Sequence, residues 1–181
     1  MCESDKAARF ERALLPHLDS AYNLARWLLK DSHDAQDVVQ EACLRALTFL
    51  DGFRGEDGRA WLLAIVRNTS YDWLRKNRGP GAASSGEENF DLLADDTPGP
   101  EAIQLREAER QLVQDCLERM PPEYREVLVL RELEEMSYRQ IATVTDQPMG
   151  TVMSRLARGR KRLQLMLADA AGRHRETGAA T

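Results

Sequence analysis

The sequence predicts an all-α protein of two small helical domains, joined by a flexible acidic linker. Three observations carry this. Apolar residues recur at the helix period on both sides of a central gap, and strand-like alternation is missing. Charge is partitioned: residues 1–78 hold twelve bases and twelve acids, 79–105 hold six acids and no base, and 106–181 hold thirteen bases against twelve acids. The middle stretch "GPGAASSGEENFDLLADDTPGPEAIQL" is rich in Gly, Pro, Ser and acids and cannot bury enough apolar surface to fold alone. The expected division is 6–78, a linker over 79–100, a second domain over 101–168, and a disordered tail over 169–181.

In the first domain an amphipathic stretch from Lys6 to Leu29 sets Phe10, Leu14, Leu18, Ala21, Ala25 and Leu28 on one side. "DSHD" offers caps for a second helix, Asp34 to Leu50. Its buried stripe reads Val39, Ala42, Cys43, Ala46 and Leu50, and its far side Asp37, Glu41 and Leu44. "DGFRGEDG" is a turn-rich loop. A third helix, Arg59 to Asn77, opens apolar nearly all round (Trp61, Leu62, Leu63, Ile65, Val66) and should be central. Its second half changes character, with Asn68, Asp72 and Arg75 on one face near Tyr71, Trp73, Lys76 and Arg78. Pairing of Asp72 with Arg75 or Lys76 within the helix accounts for part of this. The same mixture of amide, cation and aromatic also suits a splayed single strand.

The second domain predicts helices over Glu101–Arg119, Pro122–Glu135, Ser137–Val144 and Pro148–Leu167. "MPP" breaks the chain after the first, and Pro122 suits the opening turn of the next. Ser137 and Gln140 form a capping box ahead of Ile141. A short helix, the tight turn "TDQ" and a longer helix then make a helix-turn-helix. On the longer helix Val152, Leu156 and Leu163 turn inward. Ser154, Arg158 and Lys161 point the opposite way, flanked by Thr151, Arg155 and Arg162. Residues 155–162 hold five cations, and no Asp or Glu occurs from 147 to 168. A basic helix can simply be solvated. The acid-free face behind a tight turn instead points to a helix that enters the major groove of DNA.

Other chemistries find little support. Cys2, Cys43 and Cys116 are scattered and read as free thiols, the last two within helices. The three histidines fall in no metal-ligand spacing, and no Gly-rich phosphate loop or nucleophile–base pair stands out, so neither enzyme, metal nor cofactor is expected. No apolar run has the length of a membrane span, and "MCESDKAARF" lacks a signal-peptide core, which predicts a cytoplasmic protein.

"LERMPPEYREVLVLRELEEMSYRQIATVTDQPMGTVMSRLARGRKRLQ" resembles region 4 of bacterial sigma factors of the extracytoplasmic-function (ECF) group. "DAQDVVQEACLRAL" resembles the region 2 helix that docks on RNA polymerase, and "FRGEDGRAWLLAIVRNTSYDWLRKNR" the segment that reads and opens the minus-ten element. The resemblance implies a protein without catalysis that lends promoter specificity to core polymerase. It assigns Asp37, Gln40, Glu41 and Leu44 to the clamp helices of the polymerase largest subunit. Phe53, Arg54 and Asn68, with Asp72 and Arg75 on the same helix face, fall to the minus-ten strand, and Thr151, Ser154, Arg155, Arg158, Lys161 and Arg162 to the minus-thirty-five element. It also implies an anti-sigma partner, often membrane-bound. One departure is Met153, where similar proteins often carry Lys or Arg. Leu165 falls on the outward side, where the polymerase flap or an inhibitor would meet it.

Two other readings stay open on sequence. One is a stand-alone helix-turn-helix regulator that binds an operator as a dimer; the other is a helical interaction module without DNA, which leaves the cationic face unexplained. The linker bears on the choice. Its 22 residues span about 26 Å as a coil and roughly 75 Å extended. Promoter elements about two helical turns apart are separated by roughly 70 Å, so the linker must be stretched when both domains sit on DNA.

Overall fold

The computed structural model describes residues 3–55, 57–77 and 100–178. Among them there is no strand. The expected linker falls outside the described residues except at Pro100, as do Cys2 and Arg78.

The first domain contains α1 (Glu3–Leu14), α2 (Leu18–Leu29), α3 (Ser32–Phe49) and α4 (Gly58–Asn77). The single helix expected over Lys6–Leu29 is thus two. Pro16 lies in a 3₁₀ turn, Leu15–His17, that separates them. Proline has no N–H and crowds the preceding turn, so it bends the chain at this point. Lys30 closes α2 in the left-handed conformation, and Asp31 caps α3 by accepting the Asp34 N–H at 3.0 Å. Asp57 does the same for α4 through the Ala60 N–H at 2.9 Å.

Leu14, Leu24, Leu28, Ala42, Leu50, Leu62, Leu63 and Val66 are buried in this domain's core. The stripe of α3 is rotated slightly from expectation. Ala35 and Val38 are buried beside Ala42, Ala46 and Leu50, whereas Val39 and Cys43 are only half-buried. Burial still pushes the Cys43 thiol above its ordinary pKa.

Helices α1 and α4 approach closely at Gly58, where an added Cβ would fall 2.4 Å from the Ala13 carbonyl oxygen. Backbone cannot yield as a side-chain tip does. Gly58→Ala is therefore expected to destabilise the domain by about 1–3 kcal/mol. Thermal unfolding beside the wild type checks this; an unchanged midpoint would mean that α1 moves away freely.

The second domain contains α5 (Pro100–Arg119), α6 (Pro122–Leu128), α7 (Tyr138–Thr145) and α8 (Met149–Gly178). The helix expected to run from Pro122 to Glu135 changes to a wider π-helical turn over Val129–Leu133. There the Glu134 N–H bonds to the Val129 carbonyl at 3.0 Å and the Met136 N–H to the Leu130 carbonyl at 2.9 Å. This turn and the positive φ of Glu135 swing the chain into α7. The Ser137–Gln140 capping box is present in both directions, at 2.8 and 3.2 Å. Asp146 terminates α7 in the left-handed conformation. Helix α8 continues past Leu167 to Gly178, so the stretch expected to be a loose tail is helical that far.

The two domains touch. Helix α7 packs along α4, and α6 and the π-helical turn pack against α2. Polar ties cross the contact at Glu126, Glu134 and Asp57. Glu126 of α6 accepts hydrogen bonds from Arg67 Nε at 2.8 Å and Tyr71 Oη at 3.0 Å. Glu134 accepts from Arg59 at 2.5 Å and from Asn23 at 3.3 Å. Asp57 accepts from Gln140 Nε2 at 2.7 Å. Burial acts to raise the pKa of Asp57, but the Ala60 and Gln140 hydrogen bonds, with nearby His17 and Arg59, outweigh it and hold the carboxyl below its ordinary range.

Candidate polymerase and nucleic-acid interfaces

The outward face of α3 brings together an acidic rim and bare apolar surface. Asp37, Gln40 and Glu41 are exposed, and Leu44 is 56% exposed. Phe49, which the sequence reading did not single out, is 63% exposed. With Glu41, Leu44, Arg45 and Thr48 it lines an open depression of about 430 Å³. Apolar side chains framed by charge form a surface that a partner can cover. Phe49 was legible in principle, since it lies five residues beyond Leu44 and off the buried stripe.

Arg45 stands at the edge of this face. It bonds Glu41 at 2.9 Å and Asp72 of α4 at 3.3 Å. Asp72 also accepts from Arg75. The pairing of Asp72 within α4 is thus joined by a second tie, to α3, which the helical wheel of α4 alone does not reveal.

Around the α3–α4 loop, Phe53 is half-buried and stacks on Trp61, with ring centroids 4.7 Å apart. Arg9 of α1 donates to the Phe53 carbonyl and ties the loop down. Arg54 is exposed, and Gly55 turns the chain with φ +76°. Asn68 and Arg75 are exposed on α4. The loop and the Asn68 face both belong to the surface of this domain, but Phe53 already spends one ring face on Trp61.

In α8, Val152 and Leu156 are fully buried and Leu163 is half-buried, as its wheel requires. Ser154, Arg158, Lys161 and Arg162 are exposed, while Thr151 is half-buried. Arg155 differs from the others. Its Nη1 lies 3.6 Å from Glu126, a carboxylate only 1% exposed. Arg160 is tied to Glu132 at 2.6 Å. Met153 and Leu165 are 46% and 63% exposed, so the apolar positions noted in the sequence face outward.

This division changes what substitutions of the two arginines test. Arg155→Glu would set a second carboxylate against buried Glu126, so its effect on DNA is mixed with a loss of stability. Arg158→Ala touches no such group. It is expected to leave thermal unfolding unchanged. A lost base contact should weaken upstream-element recognition by about 1–3 kcal/mol, and a lost phosphate contact should lower the salt slope by about one. Promoter titrations of the polymerase complex at several salt concentrations check this; unchanged affinity and slope would remove Arg158 from the interface.

Among the described residues, no group of three or more His, Cys, Asp or Glu is placed to hold a metal ion, and no helix is long and apolar enough to cross a membrane.

Residues 14–79 match the family model for sigma-70 region 2, and residues 110–163 the model for sigma-70 region 4. The RNA polymerase sigma-H factor of Pseudomonas aeruginosa is 35% identical, over 92% of this chain and 91% of its own length. The ECF RNA polymerase sigma-E factor of Escherichia coli is 38% identical over 72% of each chain. The ECF RNA polymerase sigma factor SigE of Mycolicibacterium smegmatis is 32% identical over 91% of this chain, which spans 64% of that relative. Among solved structures, the sigma factor RpoE of Bartonella quintana in complex with the anti-sigma factor NepR superposes with a TM-score of 0.66 and 25% identity, covering 88% of this chain and 96% of that one. CnrH in complex with the cytosolic domain of CnrY gives a TM-score of 0.63 at 25% identity and covers 88% of both chains. With both regions matched in order and a relative aligned along nearly its whole length, the chain belongs to the sigma-70 family of promoter-directing RNA polymerase sigma factors, in the ECF group.

Proposed function

We propose that the chain binds core RNA polymerase in the cytoplasm and directs it to promoters, without catalysing a reaction itself. The outward face of α3, with Asp37, Gln40, Glu41 and Leu44, docks on the clamp helices of the largest subunit. Acidic groups suit a basic partner surface, and Leu44 and Phe49 supply the apolar centre that such an interface needs. The α3–α4 loop and the Asn68 face of α4, with Phe53, Arg54, Asp72 and Arg75, hold the minus-ten strand. The acid-free face of α8 reads the minus-thirty-five element through Thr151, Ser154, Arg155, Arg158, Lys161 and Arg162. Leu165 meets the flap or an inhibitor. No cofactor is required.

The observation that supports this reading best is the division of exposed chemistry. An acidic, apolar-centred face lies on the first domain and a cationic face on the second. A dimeric operator-binding regulator needs a self-complementary interface and has no use for the α3 face. An anti-sigma partner belongs to the same proposal, since the similar sigma factor RpoE was crystallised with the anti-sigma factor NepR.

The test is whether the purified chain co-elutes with core polymerase and gives discrete start sites in run-off transcription of genomic DNA. Co-elution with discrete starts is the expected result. A dimer that ignores core and binds a palindrome would overturn it.

A further inference from the structure

The exposed side of α8 is not uniform along its length. From Met149 to Ala157 its exposed residues are Met149, Gly150, Met153, Ser154 and Ala157, and none carries a charge. Met149 and Met153 are 44% and 46% exposed and stand one helical turn apart, on the same edge of the helix. Arg155, the cation of this stretch, is half-buried and lies 3.6 Å from the buried carboxylate of Glu126. Ser154 donates its hydroxyl to the Thr151 carbonyl at 3.0 Å, which leaves its lone pairs to face outward. The exposed cations begin only at Arg158 and continue with Arg160, Lys161 and Arg162.

The place of the uncharged stretch gives it meaning. In a helix-turn-helix the N-terminal residues of the second helix meet the base edges. Guanine is read there by a bidentate Arg or Lys at O6 and N7, and adenine by Asn or Gln at N6 and N7. Between Met149 and Ala157 no such side chain is exposed. The apolar group that a base pair displays in the major groove is the C5-methyl of thymine. An unbranched thioether side chain can adapt its shape to that methyl group and take it out of water.

Scattered exposed apolar residues need no partner. These two differ in sharing one edge at the base-reading end of a helix whose later turns are cationic. Neither belongs to the core that Val152 and Leu156 complete. Gly150 adds a second sign of close approach. A Cβ there would meet nothing within 4 Å, so packing inside the chain does not call for glycine, and the backbone is left bare beside both methionines.

We propose that Met149 and Met153 are specificity-determining residues, which select thymine in the upstream promoter element by covering its C5-methyl group. This rests on the sigma-factor reading and names the base chemistry that its second DNA-binding face selects. Met153 lies beside Ser154 and Ala157 on the exposed side and carries the larger share; Met149 covers the edge next to the turn. The cations that follow supply affinity, and the methionine edge adds a choice of base at its own position. A cation at 153 would favour guanine there instead.

The test uses the full-length chain bound to core polymerase. Promoter duplexes with a randomised upstream element are selected for binding to this complex. The enriched duplex is then remade with each thymine of the element replaced in turn by deoxyuridine, which pairs identically and lacks only the methyl group. One or two of these replacements are expected to weaken binding by about fourfold each, the change that exposing one buried methyl group gives. Met153→Ala should bind the thymine and deoxyuridine forms of its position equally, and Met153→Leu should keep most of the difference. Met153→Arg should enrich guanine at that position in the same selection. Thermal unfolding of the variants should match the wild type, because the side chain lies outside the core. Equal binding of thymine and deoxyuridine at every position by the wild type would overturn the proposal. So would a methyl preference that Met149→Ala and Met153→Ala both leave intact. Weaker binding of Met153→Ala to core polymerase itself would assign the methionine to a protein contact and overturn it too. In each of these cases an enriched upstream element leaves the sigma-factor reading standing, whereas a complex that enriches no sequence removes that reading together with the proposal.

Discussion

Asp37→Lys combined with Leu44→Ala is expected to abolish association with core RNA polymerase while the chain keeps its helical content and melting temperature. Both side chains point away from the core of the first domain, and Leu44 is 56% exposed. Substitutions on such a surface typically change stability by no more than about 0.5 kcal/mol. In an interface the same residues weigh far more. An apolar anchor at the centre of a docking patch contributes about 2 kcal/mol or more when it is truncated. Reversing an acid that faces a basic partner adds like-charge repulsion and slows encounter. Together these predict a loss of at least about thirtyfold in affinity, beyond what co-elution tolerates. Titration of labelled core polymerase and thermal unfolding of the free variant are the paired measurements. Native affinity in a folded variant would move the docking face elsewhere. Loss of folding would mean that these positions are structural.

The parts of the fold legible in sequence were those set by local physics. The capping box at Ser137 and Gln140, the caps of α3 and the inward Val152 and Leu156 depend on neighbours within a few residues. Pro16 was equally local, but the apolar repeat on either side of it continues in phase and hides the break. The π-helical turn has no such signal, because "VLREL" is ordinary helical sequence and its geometry follows from how the chain must enter α7. Arg155 reads as one of several outward cations until the fold sets Glu126 beside it.

The contact between the domains was the least legible feature. Its polar ties join residues 55 to 111 positions apart, and no local pattern announces them. Glu126 in "REVLVL" looks like a solvated acid, and only the packed structure makes it a buried one. The roles of the exposed residues came from resemblance to a family, because exposure and charge alone fit a solvated helix equally well.

The free protein should bind duplex promoter DNA poorly, and core polymerase should confer tight, sequence-specific binding. Phosphate contacts supply much of the affinity for duplex DNA, and only Arg158, Arg160, Lys161 and Arg162 are exposed cations of α8 among the described residues. The linker carries five of the acids between residues 79 and 100 and can repel the duplex that α8 approaches. Opening the minus-ten region adds a cost of a few kcal/mol for unstacking a base, which one small domain has little surface to offset. Docked on polymerase, the α3 face would fix the first domain, and the stretched linker would set the second at the distance the two elements require. A titration of promoter duplex at physiological salt, first with the protein alone and then with core enzyme added, measures this. Specific binding is expected to strengthen by about 4 kcal/mol or more on adding core, the lower end of the gap between specific and non-specific binding. Equally tight and specific binding by the protein alone would show that one helix-turn-helix suffices, and that polymerase contributes neither spacing nor contacts to recognition.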